Sequence, residues 1–499
     1  MSQPGWRARL PPHLAPLIVA LLSFVMQTYV AYGPFRAHPN SMDEYGYWYQ
    51  AEIFARGTTH LAEPPPALEP LRELYMEWHD GKLFSKYPPG FSLVLSLGAR
   101  LGVAPMVNPL LASVSLLLLF AIARRLVGQR YALAAQLLMA TNPYFIAYSA
   151  SFFAHPLALL LTVLVLYLVT DPSAQRPPFL LALGGVLGVF VWVRPLDALC
   201  ACLLVGFVAL GSHGWRGALR TAKGASVPFV ALLVGFVVYN HYLSGRIALS
   251  TYPVLDGEFQ LTAIAGGGLW ENARAVAANY AVRFVMVGFV VWEKYFLRST
   301  AYLVPLLALA GLVFGRRDRW HVALALHFAS LVLLYNFHNT YAAFPAWPQY
   351  GVRYWYPGFA CLVLLAVKAV AERDAALGNG PWQEVGVRVL IVGFVIVVQL
   401  GVGATLLQEY RHRFDVVAAV QRDIDRRCPG KRLVVLERSG EGPDPPLPTF
   451  VIEADFQRNP FFSEHKFFTL DPNPPATLLA ALPGRPLCRY DFLGWNSSR

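Results

Sequence analysis

The sequence predicts an all-α polytopic membrane protein with about eleven transmembrane helices, a long first outer loop and a small C-terminal α/β extracytoplasmic domain. Three observations support this fold class. Of the 499 residues, 56% are hydrophobic and only 14% are charged, and the mean hydropathy of +0.43 is too high for a water-soluble globule. Apolar runs of spanning length recur along the chain, and the composition becomes more polar after residue 407.

The apolar runs are the candidate membrane spans. A helix needs about 20 mainly apolar residues to cross the hydrocarbon core. Suitable runs lie at 13–32, 106–126, 132–150, 156–170, 178–194, 196–211, 226–243, 299–315, 320–336, 354–370 and 387–407. The stretch 178–211 fits one long helix or two short ones, and the topology depends on that choice. The first run follows a basic start but has no clear cleavage site, so we expect an uncleaved span rather than a signal peptide.

Basic residues in the short loops predict the orientation. They cluster before the first run and between later runs, at Arg7 and Arg9; Arg124, Arg125 and Arg130; Arg216, Arg220 and Lys223; and Arg316, Arg317 and Arg319. With about eleven spans, all these clusters lie on one face, which is then cytoplasmic. The net charge of +11 is mostly this bias, so it does not indicate a nucleic-acid partner. We expect a multi-pass protein of the plasma (inner) membrane.

Four segments then face the outside, at 33–105, 244–298, 337–353 and 408–499. The first is too long for a simple connection, and loops of that length are usually functional. Within it, YMEWHDGKLFSKY places Asp80-Gly81 between two aromatic stretches, which predicts a β-hairpin. PPGFSLVLSLGARLG predicts a short helix that starts at Pro88 and Pro89.

The tail predicts a domain of its own, which divides the chain into a transmembrane domain at 1–407 and an α/β domain at 408–499. EYRHRFDVVAAVQRDIDRRC is an amphipathic helix pattern, KRLVVLE and TFVIEAD are strand patterns, and GPDPPLP is a turn-rich break. Cys428 and Cys488 lie in this tail, where an oxidising compartment would allow a disulfide. The sequence does not show whether the two cysteines meet.

An acidic pair directly follows the first span, in PNSMDEYGYWYQAEIFARG at residues 39–57. One explanation is structural: Ser41 and Glu44 form a capping box, and Asp43 in the first turn is favoured by about 0.3–1 kcal/mol through the helix dipole. Gly57 then ends the helix. The other explanation is chemical, because a carboxylate near a substrate can act as a general base.

In the structural explanation, the apolar side of this helix rests on the lipid headgroups. The residues that would make that contact are Trp48, Ile53 and Phe54.

Basic residues collect on the same outer side. They are Lys86, His155, Arg194 and Arg353. Taken singly, Lys86 fits a solvated charge, His155 fits a helix cap, and Arg353 fits an interfacial anchor. Arg194 fits a side chain that extends to the lipid headgroups or pairs with Asp197. An arginine at mid-bilayer, however, costs about 2.5–3.5 kcal/mol and usually faces an interior cavity. Together they predict a cationic ring at the level of a lipid phosphate.

These residues resemble a family of membrane glycosyltransferases. The first outer loop is similar to that of GT-C proteins in the branch of the protein O-mannosyltransferases, the lipid A aminoarabinose transferase and the lipopolysaccharide-core galacturonosyltransferases. In that branch an Asp-Glu pair follows the first span with Y-x-x-x-A spacing. The matching residues are Asp43, Glu44, Tyr47 and Ala51, followed by YPPG at 87–90, ARRL at 123–126, RP at 194–195 and YGVRY at 350–354. The resemblance covers most of 13–410.

The resemblance implies a reaction at the outer face. A sugar would move from a polyprenyl-phosphate donor to a glycan, lipid or protein acceptor, with inversion at the anomeric carbon. Asp43 would be the general base, with Glu44 as the alternative. The cationic residues would contact the donor phosphate or, for His155, the phosphate or the acceptor, and the cavity would be lined by Tyr47, Tyr87 and Tyr354.

The resemblance implies no certain cofactor. Several branches carry a second acid in the second outer loop, where this chain has SFFAHP without a carboxylate. A divalent metal is compatible with the family, but these residues do not support a metal-centred site.

Two other classes of protein fit part of the pattern. A transporter or flippase for an anionic lipid or solute would also combine buried arginine with outer aromatic residues. Transporters often contain internal repeats, whereas the two halves of this chain show no similarity and the first outer loop is unexpectedly long for one. A structural protein that docks partners through its tail is the third class.

Overall fold

The computed structural model describes residues 14–39, 41–71, 75–245, 247, 296–315, 318–337, 352–376, 387–437, 466–469 and 473–491. Several predicted features lie outside these residues: most of the outer segments 244–298 and 337–353, the TFVIEAD strand and the GPDPPLP break. The described part is mainly helical, which confirms the predicted fold class, and it carries two small sheets.

Helices form most of the described chain. Their bounds are α1 Leu14–Tyr32, α2 Met42–Ala55, α3 Pro89–Arg100, α4 Val107–Val127, α5 Gln129–Ala140, α6 Pro143–Ser149, α7 His155–Val169, α8 Pro177–Val193, α9 Pro195–Ser244, α10 Leu303–Phe314, α11 Arg319–Phe337, α12 Phe359–Ala376, α13 Val387–Arg427 and α14 Ala476–Ala481. Two six-residue 3-10 helices, Pro66–Leu71 and Arg353–Gly358, matter for the site.

Helices long and apolar enough to cross a membrane occur at predicted runs. Among the described residues they are Leu14–Tyr32, Ala104–Val127, Pro195–Ser244, Arg353–Ala375 and Val392–His412. Shorter apolar helices lie at His155–Val169, Pro177–Val193, Leu303–Phe314 and Arg319–Tyr335. The number of spans and their orientation stay predictions.

Two predicted runs are broken by proline. The run 132–150 is two helices rather than one, because Asn142 accepts a hydrogen bond from the Tyr144 backbone N–H and so caps α6, with Pro143 as its first residue. The stretch 178–211 is also two helices. Arg194 is extended (φ −154°, ψ 92°) before Pro195, since proline disfavours the helical conformation of the preceding residue.

Close helix packing places the end of α8. A Cβ added at Gly184 would lie 2.0 Å from the Ala225 carbonyl oxygen, and one added at Gly188 would lie 2.7 Å from the Leu232 side chain. Only glycine permits this approach of α8 to the second arm of α9, which begins after a break at Gly214. Arg194, directly after α8, is therefore held at a fixed place in the bundle.

The first sheet belongs to the first outer loop. Its strands are β1 Leu61–Ala62, β2 Met76–His79 and β3 Lys82–Ser85, in the order β1-β3-β2 and all antiparallel. The predicted hairpin is confirmed, and its two-residue turn has positive φ at Asp80 (49°) and Gly81 (74°). The strand pairs bring Lys86 and Tyr87, which follow β3, towards α2.

The second sheet lies in the tail and packs on the first outer loop. Its strands β4 Arg432–Glu437, β5 Lys466–Thr469 and β6 Leu487–Asp491 are parallel, in the order β5-β4-β6. Cys428 and Cys488 form a disulfide with a Cα–Cα distance of 5.9 Å. An apolar cluster joins the sheet and α14 to the outer loop through Leu68, Leu71, Trp78, Leu433, Leu478 and Leu482.

Candidate functional site

Helix α2 carries the acidic pair, and of the capping box predicted at its start the Ser41 half is observed. The Ser41 hydroxyl accepts a hydrogen bond from the Glu44 backbone N–H at 3.3 Å, and Gly57 follows the helix with φ +81°. The lipid contact predicted for this helix is wrong for Ile53 and Phe54, and Trp48 packs against the same cluster as Ile53. Ile53 and Phe54 are buried, and Ile53 packs with Tyr45, Tyr49, Met76 and Leu83, because the hairpin covers that face.

The Asp43 carboxylate lies at the centre of the candidate site. Its Oδ1 accepts a hydrogen bond from the Tyr87 hydroxyl at 2.5 Å, and its Oδ2 accepts one from Arg353 at 2.7 Å. The Asp43 side chain is 16% exposed and that of Arg353 is 19% exposed. Ser41 caps the helix, so the Asp43 carboxylate is directed to partners outside α2.

Opposing effects act on the acidity of Asp43. Burial alone raises the pKa of the carboxyl. The positive charge of Arg353, the Tyr87 hydrogen bond and the charge of Lys86 outweigh burial and leave the pKa below its usual value. The group is therefore ionised at neutral pH, as a general base must be.

Lys86 lies close to this carboxylate but is held by aromatic rings. Its side chain is buried, and its ammonium lies 3.6 Å from the centre of the Tyr75 ring and 5.6 Å from that of Tyr87. Such cation–π contacts stabilise a desolvated ammonium. They keep a positive charge near Asp43, where the charge lowers the pKa of the acid.

Tyrosine rings form one wall of the site. Tyr47 stacks on Tyr87 with ring centres 4.3 Å apart, and burial raises the pKa of the Tyr47 hydroxyl. The stack fits because residue 46 is glycine. A Cβ there would lie 2.9 Å from the Tyr87 ring, so the absence of a side chain lets Tyr87 reach Asp43.

Glu44 faces a different neighbour. Its side chain is fully buried, and its Oε2 accepts a hydrogen bond from the Phe152 backbone N–H at 3.4 Å. The residue therefore joins α2 to the loop between α6 and α7. This position favours a positioning role for Glu44 over the alternative role of base.

A second buried group surrounds Arg194. Its Nε donates to Asp197 at 2.5 Å, one terminal nitrogen donates to the Tyr335 hydroxyl at 2.6 Å, and the other contacts His155 Nε2 at 3.1 Å. Tyr335 in turn donates to Asp197. The pairing of Arg194 with Asp197, one of the structural explanations, is thus observed, and it joins the starts of α7 and α9 to α11.

Tyr354 joins the two groups. Its hydroxyl accepts a hydrogen bond from Arg353 at 3.0 Å, and its ring stacks on Tyr335 at 4.5 Å. His155 lies 6.2 Å from the Tyr354 ring and 5.2 Å from the Phe153 ring, centre to centre. The structure therefore brings the predicted site residues together along one continuous set of contacts.

The sequence analysis did not single out four residues of this site, namely Gly46, Tyr75, Phe153 and Tyr335. A glycine inside a helix is unfavourable by about 1 kcal/mol relative to alanine, which was a usable signal for Gly46. Tyr335 ends an apolar run and is indistinguishable there from an interfacial aromatic residue. In the described part of the chain, no group of three or more His, Cys, Asp and Glu side chains could hold a metal ion.

Residues 86–242 match the dolichyl-phosphate-mannose-protein mannosyltransferase family. No curated protein matches the chain in sequence.

Solved structures are similar in fold. ArnT from Cupriavidus metallidurans bound to undecaprenyl phosphate has a TM-score of 0.54 at 14% identity, over 96% of this chain and 89% of that one. Its apo state has a TM-score of 0.50 at 16% identity, over 85% and 82%. The Archaeoglobus fulgidus oligosaccharyltransferase complex with Zn and sulfate has a TM-score of 0.50 at 13% identity, over 78% and 53%, so this chain spans about half of that protein.

The family match and the structural similarity agree with the resemblance seen in the first outer loop. This chain therefore has the GT-C fold of membrane glycosyltransferases.

Proposed function

We propose that this protein transfers a sugar from a polyprenyl-phosphate donor to an acceptor hydroxyl at the outer face of the membrane, with inversion at the anomeric carbon. The observation that carries the proposal is the setting of Asp43. An ionised carboxylate lies beside Arg353, Tyr87 and Lys86, at the start of the first long loop. A proton acceptor beside cations that suit a phosphate is what the proposed reaction requires.

The reaction needs one base and one phosphate site. Asp43 accepts the proton of the acceptor hydroxyl as that oxygen bonds to the anomeric carbon. The bond from that carbon to the phosphate oxygen breaks on the opposite side, and polyprenyl phosphate leaves with the bonding electrons. Arg353, Lys86 and Arg194 stabilise the negative charge that grows on the leaving phosphate.

Donor binding would also strengthen the base. In the present structure Arg353 pairs with Asp43 and lowers the pKa of its carboxyl. A phosphate competes for the same guanidinium, because arginine binds phosphate with paired N–H groups. When Arg353 turns to the phosphate, Asp43 loses part of that effect and its pKa rises, so the carboxylate takes up a proton more readily.

The fold supports a lipid-linked donor. A prenyl chain can stay in the bilayer while its phosphate reaches the cationic residues at the end of the bundle. One solved protein of similar fold was crystallised with undecaprenyl phosphate. The donor sugar is a hexose or a pentose, and the acceptor is a hydroxyl group of a glycan, a lipid or a protein.

The test is mass spectrometry of envelope glycolipids and glycoproteins from a host strain with and without the gene. We expect one sugar to disappear from a defined acceptor in the deletion and to return with the wild-type gene. Asp43→Asn keeps the size of the side chain but removes the base, so turnover should fall by about 10²–10⁴-fold. Binding of undecaprenyl phosphate should persist in this variant.

Asp80→Asn is the matched control, because Asp80 lies in the same loop with its side chain 68% exposed at the hairpin turn. It should restore the sugar fully. If Asp43→Asn also restores it, the base is another group and Glu44→Gln is the next variant. An unchanged glycan profile in the deletion would contradict the transferase and favour a transporter of an anionic lipid.

A further inference from the structure

The contacts of Arg194 determine where His155 carries its proton. A guanidinium has N–H donors and no acceptor. Its contact with His155 Nε2 at 3.1 Å therefore requires Nε2 to accept, with a lone pair and no hydrogen. The imidazole is then neutral, and its single proton is on Nδ1.

This Nδ1–H is a buried donor. The His155 side chain is 2% exposed, and Nδ1 has no hydrogen-bond partner among the residues that the structure describes. An unsatisfied buried donor costs about 1–3 kcal/mol, and such groups are rare in folded proteins. A bound molecule that supplies an acceptor atom would remove this cost.

The surroundings of His155 favour an anionic acceptor. Arg194 contacts the ring directly, and the Arg353 guanidinium lies 5.7 Å from the centre of the Phe153 ring, which also contacts His155. Of the carboxylates in this region, Asp43 and Asp197 are each paired with one of these arginines, and Glu44 accepts a hydrogen bond from the Phe152 backbone N–H. A phosphate oxygen fits a donor in this setting better than a neutral sugar hydroxyl does.

The ring is also held in place. His155 packs against Tyr148 at 5.6 Å, Phe153 at 5.2 Å and Tyr354 at 6.2 Å, measured between ring centres. Arg194 uses three N–H groups on Asp197, Tyr335 and His155, so two of its five remain. Arg194 can thus orient His155 and still contact a phosphate.

We infer that His155 donates a hydrogen bond from Nδ1 to a phosphate oxygen of the lipid donor. Asp197 and Tyr335 are positioning residues, because they hold the guanidinium that keeps His155 in this tautomer. This inference rests on the proposed function and adds to it the proton position and the residues that set it.

The test compares two amides at position 155 in the full-length protein in nanodiscs, with undecaprenyl phosphate as the probe. In His155→Asn the amide N–H₂ lies near the place of Nδ1, whereas in His155→Gln it lies nearer that of Nε2. We expect the Kd of His155→Asn for undecaprenyl phosphate to lie within about threefold of the wild-type value. The Kd of His155→Gln should be about tenfold higher or more, because that variant loses a hydrogen bond to a charged group. His60→Gln, an outer-loop variant, should bind like wild type.

The outcomes separate the two proposals. If wild type does not bind undecaprenyl phosphate, the proposed function fails and this inference fails with it. If wild type binds and His155→Gln binds equally well, the inference alone fails. Melting curves verify that each variant is folded.

A second measurement needs no variant at position 155. Solid-state NMR of the wild-type protein with ¹⁵N-labelled histidine distinguishes a protonated Nδ1 from a bare one. We expect a neutral His155 with the proton on Nδ1, and a shift of that resonance when undecaprenyl phosphate is added. The Arg194→Met and Asp197→Asn double variant removes both buried charges and should produce a mixture of tautomers. If these two residues only stabilised the fold, the tautomer of His155 would not change. A bare Nδ1 in wild type overturns the inference.

Discussion

At Asp43, two hydrogen bonds and two nearby cations determine the charge of the group more than burial does. A buried carboxyl without partners would be protonated near neutral pH, whereas this one is held ionised by Arg353, Tyr87 and Lys86. The ionised state of Asp43 therefore depends on the residues around it.

Tyr87→Phe should shift the acidic limb of the pH profile. The substitution removes a hydrogen bond that lowers the pKa of Asp43, so that pKa should rise. Below its pKa the carboxyl is protonated and cannot accept the proton of the acceptor, so activity is lost as the pH falls. The acidic limb of the pH profile of kcat/KM should therefore move to higher pH. The substrates for this measurement are those that the deletion strain identifies.

Tyr131→Phe is the control, because it removes another tyrosine–aspartate hydrogen bond, to Asp374, elsewhere in the bundle. Its pH limb should match that of wild type. An unmoved limb in Tyr87→Phe would mean that Asp43 is not the titrating base.

Gly46→Ala should lower turnover with little loss of stability. The added Cβ would lie 2.9 Å from the Tyr87 ring, so the ring must move away from Asp43. Misplacement of a reacting group by about 1 Å can reduce the rate about 10²-fold, while alanine favours the helix by about 1 kcal/mol. Gly206→Ala, at a helical glycine with open space around it, should leave turnover unchanged and raise the stability by up to about 1 kcal/mol. Wild-type turnover in Gly46→Ala would show that the position of Tyr87 is not critical.

Between elements, the long helix α13 holds the start of the first outer loop. The Phe35 side chain is buried and stacks on Phe414 at 5.3 Å, with Tyr410 at 6.0 Å. The next residue, Arg36, pairs with Asp415. The loop turns there through positive φ at Arg36 and Ala37, both 53°, before α2 begins. These contacts set where α2, and with it Asp43, starts.

Phe35→Ala should destabilise the protein far more than Asp415→Ala. Loss of a buried phenyl ring costs about 3–5 kcal/mol. The Arg36–Asp415 pair has side chains that are 45% and 40% exposed, and an exposed ion pair contributes about 0–1 kcal/mol. Thermal unfolding in detergent should show a large decrease in melting temperature for Phe35→Ala and a small one for Asp415→Ala. Equal decreases would contradict this ranking, because the ion pair would then hold the loop as strongly as the ring does.

Across the whole molecule, the C-terminal sheet and the first outer loop stabilise each other. The apolar cluster that joins them includes Leu71 from the loop, and Leu433 and Leu478 from the tail. The disulfide between Cys428 and Cys488 joins the end of α13 to β6 across a sequence separation of 60 residues. Among the residues that the structure describes, the side chains that hydrogen-bond to Asp43 are Tyr87 and Arg353, both outside the tail. We therefore expect the described sheet of the tail to affect stability more than chemistry.

Reduction should therefore lower stability before it lowers activity. A bridge that closes a loop of this length contributes about 4 kcal/mol in the chain-entropy model. Melting curves with and without reductant should differ for wild type and coincide for the Cys428→Ser and Cys488→Ser double variant, while that variant keeps its sugar transfer below its melting temperature. A wild-type curve that is insensitive to reductant would contradict the expected role of the bridge.

The local amino-acid sequence was sufficient to predict several features of this protein. The apolar runs coincide with helices, Asp80-Gly81 makes the hairpin turn, and KRLVVLE forms β4, because hydrophobic length, turn chemistry and alternation act over neighbouring residues. The position of Asp43 after the first span, together with the family resemblance, identified the candidate base. Local pattern failed at 132–150, where a proline and a cap divide an apolar run.

Only the tertiary structure decided what each site residue contacts. Arg353 meets Asp43 from 310 positions later in the chain, and Tyr335 meets Arg194 from 141 positions away. Tertiary packing also buries Ile53, which lies under the hairpin, and Phe54, instead of leaving them to lipid. Residue type and spacing indicate which groups are able to pair. Which groups actually meet depends on which helices pack side by side, and this packing therefore determines the pKa of Asp43 and the tautomer of His155.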